Sequence, residues 1–282
     1  MPFTIISNEK LTPDTHRLRV SAPLAAASWK PGQFAVLRAL ETSERVPLSI
    51  SSVDRQTGAV TFVVKAIGFS THELVSLPAG AELADLLAPL GRPTDVDAYQ
   101  HAAVVGGGVG VAVVFPVAKA LTQNGAHVTA VLGARDRTQI ILEEEFQRAC
   151  AEVHICTDDG SRGIKAFAPQ ILRNLLEAGS PFDAVFAAGP VGMMQALADI
   201  TKPYGIRTIV SLNPIMVDGI GMCGGCRVLI GGEVRFACVD GPDFDAHQVD
   251  FESLKKRNQT YTQQEAQHEH TCGIEHQPRI LQ

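Results

Sequence analysis

The stretch Ala102-Ala103-Val104-Val105-Gly106-Gly107-Gly108-Val109-Gly110 decides the fold of the central part of this chain. Four apolar residues in a row read as a short strand of the buried, parallel kind. Glycines follow at once, then the helix-like run Val111 to Leu121. Strand, glycine loop and helix in that order suit a phosphate-cradling turn, because glycines let the backbone approach a pyrophosphate that the helix start then faces. Gly106, Gly107, Gly108 and Gly110 are therefore candidate nucleotide-binding residues. Pro116 falls inside the expected helix and predicts a kink or a late helix start.

The same rhythm continues downstream. His127 to Gly133, Val153 to Cys156 and Ala184 to Ala188 read as strands, with helices over Ile140 to Cys150, Ala168 to Glu177 and Val191 to Ile200. Alternation of this type predicts a doubly wound parallel sheet over residues 99–213. In such sheets ligands occupy the crevice at the carboxyl ends of the strands. Asp158-Asp159-Gly160-Ser161 and Gly189-Pro190-Val-Gly-Met193 follow two of the strands and are placed to line it. The strand from His127 ends in Gly133-Ala134-Arg135 rather than in an acidic residue, so the usual ribose carboxylate is missing there. Arg135 and Arg137 could pair with a 2′-phosphate or stand as solvated charges; spacing alone does not separate NADH from NADPH.

Residues 1–98 carry a different pattern, with period-two alternation in Thr15 to Ser21 and further strands over Gly32 to Arg38 and Ala59 to Lys65. Turn signals at Trp29-Lys-Pro-Gly32, Asp54 to Gly58 and Leu77 to Gly80 punctuate them, predicting a small antiparallel β-barrel of six or so strands. Glu44-Arg45-Val46-Pro47-Leu48-Ser49 puts Arg45 and Ser49 on one face of a strand. A guanidinium and a hydroxyl so arranged could hold a flavin's pyrophosphate and ring edge. Gly68, Ser70 and Thr71 would open a helix, with Ser70 or Thr71 as its cap and the free N–H groups facing phosphate or simply capped.

From residue 214 the rhythm breaks. Met216-Val217-Asp218-Gly219-Ile220-Gly221-Met222-Cys223-Gly224-Gly225-Cys226 is followed by Cys238, and a hairpin over Arg227 to Ala237 joins them. With cysteine at Asp218 the spacing would be C-x4-C-x2-C…C, the plant-type [2Fe–2S] pattern. Asp218 stands at the ligand position. The alternatives are that Asp218-Gly219 is a turn and that Cys272 or a nearby His closes the site, or that three Cys with one Asp or His bind zinc. His268, His270, Cys272 and His276 lie in a polar segment, residues 253–282, read as a docking arm or solvated tail.

Composition sets bounds. The 282 residues suffice for two domains and a small third, 45% are hydrophobic and 19% charged, and the formal net charge is −6. That balance gives no electrostatic case for nucleic acid or an anionic membrane. A cytoplasmic location is expected, with Cys150, Cys156 and Cys272 as free or buried thiols. No Ser/His/Asp or Cys/His nucleophile arrangement and no carboxylate pair set up for hydrolysis is visible, so no catalytic side chain is assigned.

Taken in order, these strings resemble the ferredoxin–NADP reductase superfamily: Arg45-x-Pro47-x-Ser49 its flavin motif, Gly106 to Gly110 its nucleotide loop, and Gly189-Pro190-x-x-Met193 its nicotinamide-side loop. The cysteine often found before that Gly-Pro is Ala188 here. Leu212 to Cys226 and Phe236-Ala-Cys238-Val-Asp-Gly-Pro are most similar to the small (alpha) subunits of NADH-dependent reduced ferredoxin:NADP oxidoreductases and their sulfide dehydrogenase-like relatives. The resemblance covers about residues 1–252. It implies FAD in the barrel, NAD(H) in the second domain and a [2Fe–2S] cluster over 214–252, held by Asp218, Cys223, Cys226 and Cys238. The electron-transfer subunit of dihydroorotate dehydrogenase has cysteine at the first of these positions, so Asp218 points away from it. The resemblance further implies a larger flavin and [4Fe–4S] partner that handles ferredoxin and NADP(H), with electron bifurcation belonging to the complex. Rival readings are an electron-transfer subunit for dihydroorotate or sulfide chemistry, a redox sensor without turnover, and a zinc module on the same scaffold.

Overall fold

A computed structural model describes residues 2–262. Seven N-terminal strands are β1 (Phe3–Thr12), β2 (Thr15–Ser21), β3 (Phe34–Arg38), β4 (Val46–Asp54), β5 (Ala59–Lys65), β6 (Glu82–Leu83) and β7 (Asp85–Leu90), with helices α1 (Pro23–Ser28) and α2 (Phe69–Ser76) between them. They form an antiparallel sheet in the order β6-β1-β2-β5-β4-β3-β7. The two outer strands are consecutive, with Ala84 alone between them, so the sheet curls into a nearly closed barrel. Its filling comes from the inward half of each strand's alternation: Leu18, Val20, Leu37, Ile50, Phe62 and Val64 are fully buried.

The second sheet contains β8 (His101–Gly107), β9 (His127–Ala134), β10 (Glu152–Thr157), β11 (Ile164–Lys165), β12 (Ala184–Ala188) and β13 (Arg207–Ser211). Helices α3 (Gly110–Gln123), α4 (Glu143–Ala149), α5 (Ala168–Glu177) and α6 (Val191–Thr201) connect them. The C-terminal part adds β14 (Arg227–Ile230), β15 (Glu233–Phe236), α7 (Ala237–Asp240), β16 (Asp243–Asp245) and α8 (Phe251–Asn258). The sheet order is β11-β10-β9-β8-β12-β13-β16, parallel except for β16, which runs antiparallel to β13. Alternate residues of β8 feed two cores. Ala103 and Val105 pack with α5 and α6, whereas Ala102 and Val104 pack with α3.

Two helix boundaries differ from the sequence expectation. Helix α3 begins at Gly110 and runs through Pro116 without a late start. One amide donor is lost at the proline, and burial of Val111, Val114, Val117 and Leu121 holds the helix across it. Helix α4 starts at Glu143, three residues later than expected, because Leu142 takes a left-handed φ of 58°. Helix α8 is no loose segment: Phe251 and Leu254 are buried in the core that α5 and α6 share.

Candidate cofactor and cluster site

From β8 the chain winds outward through β9, β10 and β11, then returns to β12 on the other side of β8. The winding direction reverses at that joint, and the carboxyl ends of β8 and β12 form the crevice. Both glycine-containing loops meet there. A Cβ at Gly110 would stand 2.2 Å from the Ala188 carbonyl oxygen, and one at Gly107 would stand 2.6 Å from the Met193 sulfur. Close packing of the two loops thus requires these glycines. Gly108 is different: its φ is +55° and nothing lies near its missing Cβ, so it forms the open face of the turn. Met193 also packs over Gly189. Gly107, Pro190 and Met193 are therefore packed together where the two loops meet, and Gly106 is packed against Val111 at the start of α3.

Beside this joint, the ends of β9 and β10 are bonded together. Asp158 N–H donates to the Ala134 carbonyl at 3.1 Å, and the Arg137 N–H donates to the Ser161 hydroxyl at 2.8 Å. That hydroxyl donates in turn to Asp159 Oδ1 at 2.7 Å. The Ser161 donors hold the Asp159 carboxyl below its usual range, while burial raises Asp158, partly offset by the Arg135 charge. The loop after β10 thus sets Asp158 and Asp159 beside the end of β9. Arg135 is exposed.

A cavity of about 230 Å³ opens where the barrel, the sheet and the C-terminal segment meet. Pro47, Leu48 and Ser49 of β4 form one wall; Ser211, Leu212, Asn213 and Pro214 form another; Phe34, Met216 and Pro242 complete it. Strand β4 starts at Val46, so Arg45 lies ahead of the strand and exposed rather than sharing a strand face with Ser49. The chain around Arg45 is tied to α2: the Ser43 hydroxyl donates to Glu73 and the Ser70 hydroxyl to Glu44, the latter at 3.1 Å. Gly68 is the cap residue of α2, and Thr71 accepts the Gly68 N–H at 3.1 Å. Ser70 is not the cap, because its hydroxyl is used by Glu44. The cavity wall from Ser211 to Pro214 carries no local sequence signal, since nothing nearby in the chain marks the end of β13 as facing the barrel.

The cysteine loop packs directly on that barrel wall. Phe34 and Val36 of β3 share one buried apolar cluster with Cys226, Ala237 and Cys238, and Met216 packs against it. A Cβ at Gly219, whose φ is +75°, would meet Val36 at 2.6 Å. Cys226 and Cys238 have their sulfurs 3.2 Å apart, Cys238 N–H points at the Cys226 sulfur at 3.5 Å, and Gly225 N–H points at the Cys223 sulfur at 3.4 Å. Asp218 accepts the Ile220 N–H at 2.9 Å and the Cys223 N–H at 2.5 Å, and those backbone donors lower its carboxyl. Burial, with the Cys226 sulfur beside it, pushes the Cys238 thiol up to about 12.

Among the described residues, no three His, Cys, Asp or Glu side chains form a closed metal cage. What the fold brings together is one loop with Asp218 and Cys223 on its rim and two buried sulfurs beneath. Amide donors aimed at sulfur, a dry floor and an ionised carboxylate suit a cationic iron–sulfide group, which would also relieve the raised Cys238 thiol. Cys150 and Cys156 are free thiols, raised to about 11 by burial. His268, His270, Cys272 and His276 lie outside the described residues.

A barrel, a doubly wound sheet and an appended cysteine loop, with one cavity at their junction, define an electron-transfer oxidoreductase of the ferredoxin-reductase-like class. Residues 213–250 match the iron-sulfur cluster binding domain of dihydroorotate dehydrogenase B. The chain is 40% identical over 261 residues to a dihydroorotate dehydrogenase B (NAD(+)) electron transfer subunit homolog of Thermotoga maritima, covering 93% of this chain and 92% of that one. It is 31% identical to the dihydroorotate dehydrogenase B (NAD(+)) electron transfer subunit of Fusobacterium nucleatum, covering 88% and 98%. A chain in the solved structure of the NADH-dependent reduced ferredoxin-NADP oxidoreductase, studied for flavin-based electron bifurcation, superposes with a TM-score of 0.91 at 37% identity, covering 96% and 98%. The chain belongs to the family of dihydroorotate dehydrogenase B electron-transfer subunits and their homologues. Subunits of this kind work with a larger catalytic partner. No helix among the described residues is long and apolar enough to cross a membrane.

Proposed function

We propose that this chain moves electrons between NAD(H), FAD and a [2Fe–2S] cluster as the small subunit of an electron-bifurcating, NADH-dependent reduced ferredoxin:NADP oxidoreductase. The observation that carries the reading is a common wall: Phe34 and Met216 line the cavity and also pack on the cluster that contains Cys226 and Cys238. When bound, flavin links the two-electron chemistry of nicotinamide to the one-electron chemistry of an iron–sulfur cluster.

In this reading the residues divide by site. Pro47, Leu48 and Ser49 hold the flavin ring, with Arg45 and the α2 start at Gly68, Ser70 and Thr71 taking its phosphates. Gly106, Gly107, Gly108, Gly110, Gly189, Pro190 and Met193 shape the NAD(H) crevice, and Arg135 and Asp159 flank its ribose end. Asp218, Cys223, Cys226 and Cys238 ligate the cluster, while Phe34 and Met216 exclude water between the two sites. Two carboxylates, Asp158 and Asp159, disfavour a 2′-phosphate and support NADH over NADPH. Val217, Ile220 and Met222 are exposed around the ligand loop, Met222 at 82%, which supports docking of a larger flavin and [4Fe–4S] subunit there.

The test is anaerobic co-purification from the native source, followed by iron, sulfide and flavin analysis and electron paramagnetic resonance. Recovery of a flavin and [4Fe–4S] partner that binds NADP(H) and ferredoxin is expected. A second reading, service to a dihydroorotate dehydrogenase, is favoured by the matched iron–sulfur domain; co-purification with that enzyme instead would replace the first.

A further inference from the structure

Helix α8 begins where the residues matched to the iron–sulfur domain end, at residue 250. It is anchored at both faces. Phe251 and Leu254 sit in the core of the nucleotide sheet, and Lys255 Nζ donates to Gln195 Oε1 on α6 at 2.6 Å. At its start, Asp250 N–H donates to the Leu229 carbonyl on β14 at 3.0 Å and the Asp250 side chain accepts the Ser253 N–H at 2.9 Å.

From this fixed helix two consecutive side chains reach back. Arg257 Nη2 donates to the Gly225 carbonyl at 2.9 Å, inside the Cys223-x-x-Cys226 turn. Asn258 Nδ2 donates to the Asn213 carbonyl at 3.3 Å, on the wall of the flavin cavity. One end of α8 thus holds the cluster loop and the cavity wall in fixed relation. The Arg257 bond is to a neutral carbonyl, and its Nε is sealed from solvent without a partner. A neutral donor would serve as a clamp at lower desolvation cost, so the charge itself calls for an explanation. Gly225's carbonyl belongs to the peptide that leads into Cys226; a guanidinium there polarises that amide. One-electron reduction makes a cluster more negative, and a nearby cation stabilises the reduced form.

We propose that Arg257 is a positioning residue that ties the cluster loop to the nucleotide domain and, through its charge, favours the reduced cluster. The inference rests on the [2Fe–2S] reading of the loop. The reaction concerned is uptake of one electron from a chemical reductant such as dithionite, with no bond of the chain made or broken.

The full chain, purified anaerobically with its cluster, is titrated potentiometrically with paramagnetic detection as wild type, Arg257→Gln and Arg257→Lys. At the potential where half of the wild-type cluster is reduced, R257Q should show a reduced-to-oxidised ratio lower by on the order of tenfold. R257K should stay within about twofold of wild type, since it keeps the charge. A fully loaded R257Q with the wild-type midpoint overturns the proposal. If R257Q loses its cluster, R257K decides: a loaded cluster at the wild-type midpoint supports the proposal, and cluster loss or a tenfold change overturns it. Wild-type protein with no acid-labile sulfide and no signal overturns the cluster reading itself, an outcome visible before any variant is made.

Discussion

Phe34 packs in one buried cluster with Cys226, and the same ring lines the cavity bounded by Pro47 and Ser49. The barrel therefore contributes a single side chain to both the cavity wall and the buried sulfur cluster. Phe34→Ala should cost about 3–5 kcal/mol of stability, whereas Phe34→Leu should cost less than about 1.5 kcal/mol. Urea unfolding reads the stability. Rapid-mixing spectroscopy should find slower flavin-to-cluster transfer in F34A; an unchanged rate would remove Phe34 from the electron route.

Asp218 offers a carboxylate where the plant-type spacing has a thiolate. Oxygen donates less electron density than sulfur, so Asp218→Cys should lower the cluster potential and alter its paramagnetic spectrum. The same spectrum and midpoint in both proteins would mean that Asp218 is not a ligand.

The loop after β10 places Asp158 and Asp159 beside Ala134 and Arg135. A double Asp158→Ser, Asp159→Ser variant should shift the NADH-to-NADPH ratio of kcat/KM toward NADPH by roughly tenfold, about 1.4 kcal/mol. The comparison of kcat/KM for the two nucleotides with a dye acceptor checks this. A preference unchanged in the variant would place the ribose end elsewhere.

Asp243 joins three parts of the molecule: it starts β16, pairs with Ser211 of β13, and accepts the Thr94 hydroxyl at 2.5 Å. Burial raises its carboxyl above the ordinary 3.8, with the Thr94 and Ser211 hydroxyls opposing. The folded chain then holds the proton more tightly than the unfolded one. Its contribution to stability is full below the unfolded value and is withdrawn as pH rises through the folded value. Asp243→Asn does not titrate, so its stability relative to wild type should improve as pH climbs from about 4 toward 8. Urea midpoints across that range test this, and a constant difference would contradict it.

Legibility in the sequence followed the locality of the signal. Strand β5 and helices α5 and α6 were readable almost to the residue, because Ala59 to Lys65 is a short run rich in β-branched residues bounded by the turn ending at Gly58, and Phe167-Ala168-Pro169 and Gly189-Pro190 punctuate helix starts. The hairpin of β14 and β15 followed from Gly231-Gly232, both at positive φ. Arg45 was misplaced because strand periodicity does not say where pairing begins, and β3 pairs β4 only from Val46. Strand β16 is Asp-Phe-Asp, a pattern with no strand preference, and it exists because β13 offers it a partner. The Ser211–Pro214 wall and the Arg257 contact are likewise tertiary. For α8 a signal was present, an Asp250 cap with Phe251 and Leu254 one turn apart, but five charged residues from Asp250 to Arg257 obscured it.

Because β16 runs along the outer side of β13, the iron–sulfur segment is stitched into the selvedge of the nucleotide sheet. It cannot be unplugged like a cartridge. A chain cut after Leu212 would bare a row of amides on Ile209, Val210 and Ser211, and a neighbouring molecule's strand would find them ready to zip onto. Trimming the protein to its reductase-like portion would therefore trade one missing redox centre for a sticky hem.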